Sequence, residues 1–152
     1  MAFKGLTGAL GGNLIQGVLG NLSEVSLEQL TKEYSGYLMD DEEITMGFKL
    51  VRDAVVFTDK RILLFDKQGA TGSKSRVKSI NLETIFSVTA ETAGFGVDDS
   101  EITITYISSP NLKSNNITVD SHKLEFPKKY AIQPLYKMLQ ELAYQNFKNI
   151  NK

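Results

Sequence analysis

The residues that could do chemistry in this chain are few and scattered. There is one imidazole, His122, and no cysteine among 152 residues. A structural zinc site draws its four ligands mostly from those two residue types. A disulfide or thiol nucleophile needs cysteine. Inventory alone therefore excludes both. His122 stands in a Ser-His-Lys context that reads as a surface loop. Asp98, Asp99 and Glu101 are clustered without the ligand spacing of a calcium loop. The run Asp40-Asp41-Glu42-Glu43 reads as a solvated connector in preference to a metal site. Gly69-Ala70-Thr71-Gly72-Ser73-Lys74 has the residue types of a phosphate loop but not the G-x-x-x-x-G-K-[ST] spacing. It also lies between two strand patterns, so a hairpin turn accounts for it. No nucleophile, base and orienting group come together. The reading is a chain that is not an enzyme, with no catalytic residue, no metal and no cofactor.

Charge carries one further signal. Lys74, Arg76 and Lys78 alternate, so they project from one face of a strand. They would suit an anionic membrane or polymer, although solvated edge-strand lysines that discourage aggregation are the commoner use. The 17 basic and 18 acidic side chains leave a net charge of −1. A protein that lives on phosphate contacts is usually basic, so nucleic acid is not the expected partner.

The elements that must position these residues follow from periodicity. Residues 1–22 form an apolar, glycine-rich lead, with Leu6, Leu10, Leu14 and Val18 four apart. Its glycines weaken an isolated helix, and Gly8 and Gly12 have the small-xxx-small spacing of close helix approach. Asn13, Gln16 and Asn21 make it a poor signal peptide or membrane span. The expected location is the cytoplasm. The remaining residues, 23–152, form one domain. A helix over 26–38 opens on the capping-box pair Ser26 and Gln29 and carries the stripe Leu27, Leu30, Tyr34, Tyr37 and Leu38. Strand patterns then occupy 44–120. They end in an alternating Glu101 to Ile107 and a short Asn116 to Asp120, with Ile117 and Val119 inward. A last helix over about 131–148 accepts Pro134 in its first turn and buries Leu135, Met138, Leu139, Leu142 and Ala143, with Phe147 and Ile150 extending the stripe. The fold class is mainly β: about seven antiparallel strands closed by a C-terminal helix.

Two of these strands, 54–57 and 62–65, are apolar on both faces. A strand in a barrel wall has one face inward, so the other face needs a cover. The first helix, the N-terminal lead and a neighbouring subunit are the candidates. An uncovered face of this kind is an association site. Val55, Phe57, Leu63 and Phe65, with Leu10 and Leu14 of the lead, are the expected self-association residues.

The run Val56-Phe57-Thr58-Asp59-Lys60-Arg61-Ile62-Leu63-Leu64-Phe65-Asp66-Lys67-Gln68-Gly69, preceded by Phe48-Lys49-Leu50-Val51-Arg52-Asp53 and followed by Glu91-Thr92-Ala93-Gly94, resembles the bacterial pleckstrin-homology family. The resemblance spans roughly Leu22 to Leu142. It implies a PH-like barrel of seven strands in two orthogonal sheets with a C-terminal helix. It also implies a non-enzymatic module that forms symmetric homo-oligomeric rings, often pentamers. Lipid-binding PH domains of eukaryotes hold phosphates with several basic residues around a long first loop. Here that loop is about Arg52-Asp53, and Lys49, Arg52 and Lys60 form no evident pocket. The leading expectation is a self-associating PH-like scaffold that presents a repeated surface to a protein partner. The alternative is a membrane-peripheral module that docks on anionic lipid through the lead and the Lys74, Arg76 and Lys78 face.

Overall fold

The computed structural model describes residues 25–50, 53–68, 74–92, 99–128 and 130–152, with Lys67, Gln68 and Lys74 described by backbone alone. The chain divides into two compact units, Met1–Asn81 and Leu82–Lys152.

The first unit opens with α1 (Leu27–Tyr34). The Ser26 hydroxyl accepts the Gln29 N–H at 3.1 Å, which satisfies one of the orphan donors of the first turn. The α-helix stops at Tyr34, earlier than the expected 38, and tightens into a 3-10 turn over Ser35–Tyr37. Ser35 and Gly36 are poor helix formers, and 3-10 geometry is a usual way for a helix to end. Four antiparallel strands follow in sequence order: β1 (Ile44–Lys49), β2 (Asp53–Thr58), β3 (Arg61–Gln68) and β4 (Lys74–Asn81). Their registers pair Val56 with Gly47 and Leu63, and Leu64 with Lys78.

Both faces of β2 and β3 are buried, as their composition requires, and α1 covers one of them. Leu30 and Tyr34 pack with Ile44, Ala54, Val56, Leu63 and Phe65, and Val25, Leu38 and Val77 close the edges. Gly47 makes this seat possible. A Cβ there would come within 2.9 Å of Leu30 Cδ1 and 3.0 Å of the Val55 carbonyl. Only glycine lets the helix lie this close to β1. The opposite face carries Met46, Phe48, Val55, Phe57, Ile62 and Leu64, which are also buried.

The second unit begins with a 3-10 turn (Leu82–Thr84) and continues through β5 (Ile85–Glu91), β6 (Ser100–Ile107), β7 (Val119–Phe126) and α2 (Gln133–Ile150). The three strands form an antiparallel sheet in the order β5-β6-β7, and α2 packs on β5. Pro134 lies in the first turn of α2, where its missing N–H costs nothing. Leu135, Met138, Leu139, Leu142 and Ala143 are buried as expected.

The seven strands form two antiparallel sheets, of four and three, as the resemblance implies, and hydrogen bonds among the described residues close neither into a barrel. Two further sequence expectations need correction here. The last strand is Val119–Phe126, later and longer than 116–120, and its inward residues are the even ones. Ile102 pairs with Leu124 and Ile104 with His122, so His122 lies in a strand and not a loop. Ile117 and Val119 are exposed, at 43% and 52%. The apolar alternation of β7 is confined to Leu124 and Phe126, and its place is set by backbone pairing with β6. Finally, Phe147 does not extend the buried stripe. It is 59% exposed, and Asn146 is buried in its place. The Asn146 Nδ2 donates to the carbonyls of Leu82 and Ile85, both at 2.7 Å, satisfying two acceptors at the turn into β5.

Candidate functional site

A densely bonded polar cluster among the described residues of the first unit is one that sequence patterning missed. Glu42, third in the acidic run, is not solvated: its side chain is fully buried. Arg61, the first residue of β3, grips it in bidentate fashion, Nε to Oε2 and Nη2 to Oε1, both at 2.8 Å. The Thr58 hydroxyl donates to Oε2 at 2.6 Å, and the Met39 N–H donates to Oε1 at 3.0 Å. Arg61 spends its other donors on the Tyr37 carbonyl at 2.7 Å and the Ser79 hydroxyl at 2.8 Å. Thr58 accepts the N–H groups of Lys60 and Arg61, closing the β2–β3 turn. The Glu42–Arg61 pair thus ties the stretch after α1 to β2, β3 and β4.

Burial pushes the Glu42 carboxyl up, but the hydrogen bonds from Arg61, Thr58 and the Met39 N–H outweigh it and hold the pKa at about 2. The same bonds to Glu42 raise Arg61 against its own desolvation. The signal that could have found this pair is the two-residue turn Asp59-Lys60, which places Thr58 and Arg61 side by side at its ends. No periodicity points from there back to Glu42.

At the other end of these strands from the Thr58–Arg61 turn lies a groove of about 420 Å³, near the C-terminal end of α1 and the Lys49, Asp53 and Asp66 end of the sheet. That volume is in the ~300–1,000 Å³ range of small-ligand sites. Its floor is aromatic: Tyr34 and Phe65 lie 4.4 Å apart, and Tyr37 meets Phe65 edge-on at 5.0 Å. Its rim is charged. Lys49 pairs with Glu33 at 2.8 Å, and Asp66 with Arg76 at 3.5 Å. Burial, followed by the neighbouring Glu33, pushes the Tyr34 hydroxyl up to about 12, so it stays protonated at neutral pH. The groove offers apolar contact and paired charges, but no base poised beside a nucleophile. Among the described residues no group of three His, Cys, Asp or Glu could hold a metal ion.

The expected association residues fall in a different place from the one their composition suggested. Val55, Phe57, Leu63 and Phe65 are 1%, 0%, 0% and 8% exposed. Leu63 and Phe65 lie beneath α1, so direct contact with a second copy would need that helix displaced. Leu10 and Leu14 lie outside the described residues. Arg76 and Lys78 do share a strand face with position 74, as alternation requires. Arg76 is engaged by Asp66 and Lys78 is half-buried, so the basic stripe is less available than its spacing suggested. Among the described residues of the first unit, the exposed large apolar side chains, Leu27, Tyr37 and Met39, belong to α1 or the stretch after it.

Comparison with known proteins places this architecture. A family model described as "Bacterial PH domain" matches residues 13–143. Solved structures similar to the chain include a pleckstrin homology domain from Shewanella amazonensis SB2B. The identity is 35% and the TM-score 0.61, with 85% of this chain and 97% of that one covered. A DUF1696 family protein with a pleckstrin-homology domain from Shewanella loihica PV-4 is 30% identical, with a TM-score of 0.58 and coverage of 81% and 97%. The "Uncharacterized protein YjqA" of Bacillus subtilis (strain 168) is 45% identical over 98 residues, which are 64% of this chain and 78% of that protein. With two antiparallel sheets, a closing helix and a family match over most of its length, this chain belongs to the bacterial PH domain family.

Proposed function

We propose that the chain is a non-enzymatic PH-domain module that self-associates into a symmetric ring, a pentamer by family resemblance, and acts as a scaffold for a protein partner. The observation that carries this reading is the exposure of Leu27, Tyr37 and Met39, at 52%, 49% and 49%, around the helix that shields the apolar strands. Exposed large apolar side chains on α1 and the stretch after it suit an association surface. The self-association surface is therefore the outer side of α1 and the stretch after it, with the strands beneath serving as its support. A closed ring repeats the same outward surface, and repetition raises avidity for a multivalent target without strong single contacts.

Tyr37→Glu combined with Met39→Glu tests the placement. Both side chains are half exposed, so the double variant is expected to fold and to sediment as a smaller species than the wild type. A double variant that keeps the wild-type sedimentation coefficient rules out this surface.

A further inference from the structure

The outer face of α2 carries a line of aromatic side chains that the other described residues leave largely exposed. Leu135, Met138, Leu139, Leu142, Ala143 and Asn146 are buried on the inner face. On the outer face Tyr136, Gln140, Tyr144 and Phe147 follow one another at spacings of four, four and three, which keeps them in line. Tyr144 and Phe147 are 55% and 59% exposed. A shallow hollow of about 330 Å³ lies along the same face between Tyr136 and Tyr144. The charged side chains there are Lys137, Glu141 and Lys148. At the end of the helix, Lys113 reaches the Lys152 carbonyl, bringing two more lysines close to it. Lys148 Nζ stands 5.4 Å from the Tyr144 ring centroid, so cation and aromatic sit at one level.

We propose that this face docks on the anionic surface of a lipid bilayer, with Tyr144 and Phe147 entering the interfacial layer and Lys137 and Lys148 meeting lipid phosphates. Tyrosine and phenylalanine flanked by lysine suit that boundary: the rings take the apolar side, and the ammonium groups reach back to the headgroups. No described helix is long and apolar enough to cross a membrane, so the contact is peripheral. Charge separates a bilayer from a second copy as occupant. Lys137 and Lys148 outweigh the one acidic side chain of the face, Glu141, so a second copy laid on it would bring like net charge together. An anionic layer favours both lysines at once. The face is distinct from the Lys74, Arg76 and Lys78 strand, and docking here does not depend on ring formation.

Vesicle flotation of the full chain tests the assignment. The protein is expected to float with mixed phosphatidylglycerol and phosphatidylcholine vesicles and not with phosphatidylcholine alone. Phe147→Ser and Lys148→Glu should each weaken binding by about tenfold, with both variants folded by circular dichroism. Arg76→Glu should bind as the wild type does. The proposal is overturned if the wild type does not float, or if Phe147→Ser and Lys148→Glu float unchanged. It is also overturned if Phe147→Ser alters the mass of the protein in solution while vesicles stay unbound, because the face then belongs to another copy.

Discussion

At the scale of single residues, Glu42 is the position on which most depends. Its carboxylate takes hydrogen bonds from Arg61, Thr58 and the Met39 N–H and is fully buried. Removing one partner of such a pair leaves the other charge buried and uncompensated, so Glu42→Ala is expected to cost about 3–5 kcal/mol in urea unfolding. The pH dependence has a defined sign. The folded pKa of about 2 lies below the ordinary value of 4.5. The stabilisation is present above that ordinary value and is lost as pH falls from there towards 2, amounting to roughly 3 kcal/mol across the window. Glu42→Gln should remove this part of the acid sensitivity, and an unchanged difference in stability between about pH 5.5 and about pH 3.5, one unit either side of the ordinary 4.5, would contradict the assignment. The sequence did not disclose this residue. A glutamate inside a four-acid run looks solvated until the hairpin that brings Arg61 against it is known.

At the scale of elements, the two strands apolar on both faces were legible because Ala54 to Phe57 and Ile62 to Phe65 contain no polar residue. The identity of the cover was not, since α1, the lead and a subunit all satisfy that pattern. The structure supplies α1, with Leu30 seated over Gly47. The last strand was misplaced for the opposite reason. Val119 to Phe126 offers only two apolar side chains, Leu124 and Phe126, to the inner face, so pairing with β6 decides its register and no apolar alternation reveals it. Leu124→Ala is therefore expected to destabilise by about 2–5 kcal/mol, while Val119→Thr on the exposed side stays within about 0.5 kcal/mol. Urea midpoints of the two variants would separate this register from the alternative with odd residues inward.

At the scale of the whole molecule, the family was readable from the strand order and the run around Phe57 to Phe65, and the two sheets with a closing helix bear it out. The candidate surfaces were less readable, because exposure belongs to the folded chain. Phe147 continues a helical apolar stripe in the sequence yet faces outward, while Leu63 and Phe65 look like an interface and lie under α1. Charge at those covered positions should act on folding before assembly. Leu63→Asp is expected to give an unfolded or aggregated chain by circular dichroism, and a folded monomer from that variant would return the strand face to the interface. The ring is the claim on which the functional reading rests, and mass photometry of the wild-type protein at nanomolar to micromolar concentration tests it most directly. The expected result is one closed species at a fixed multiple of the 16.9 kDa chain. A strict monomer throughout that range would contradict it.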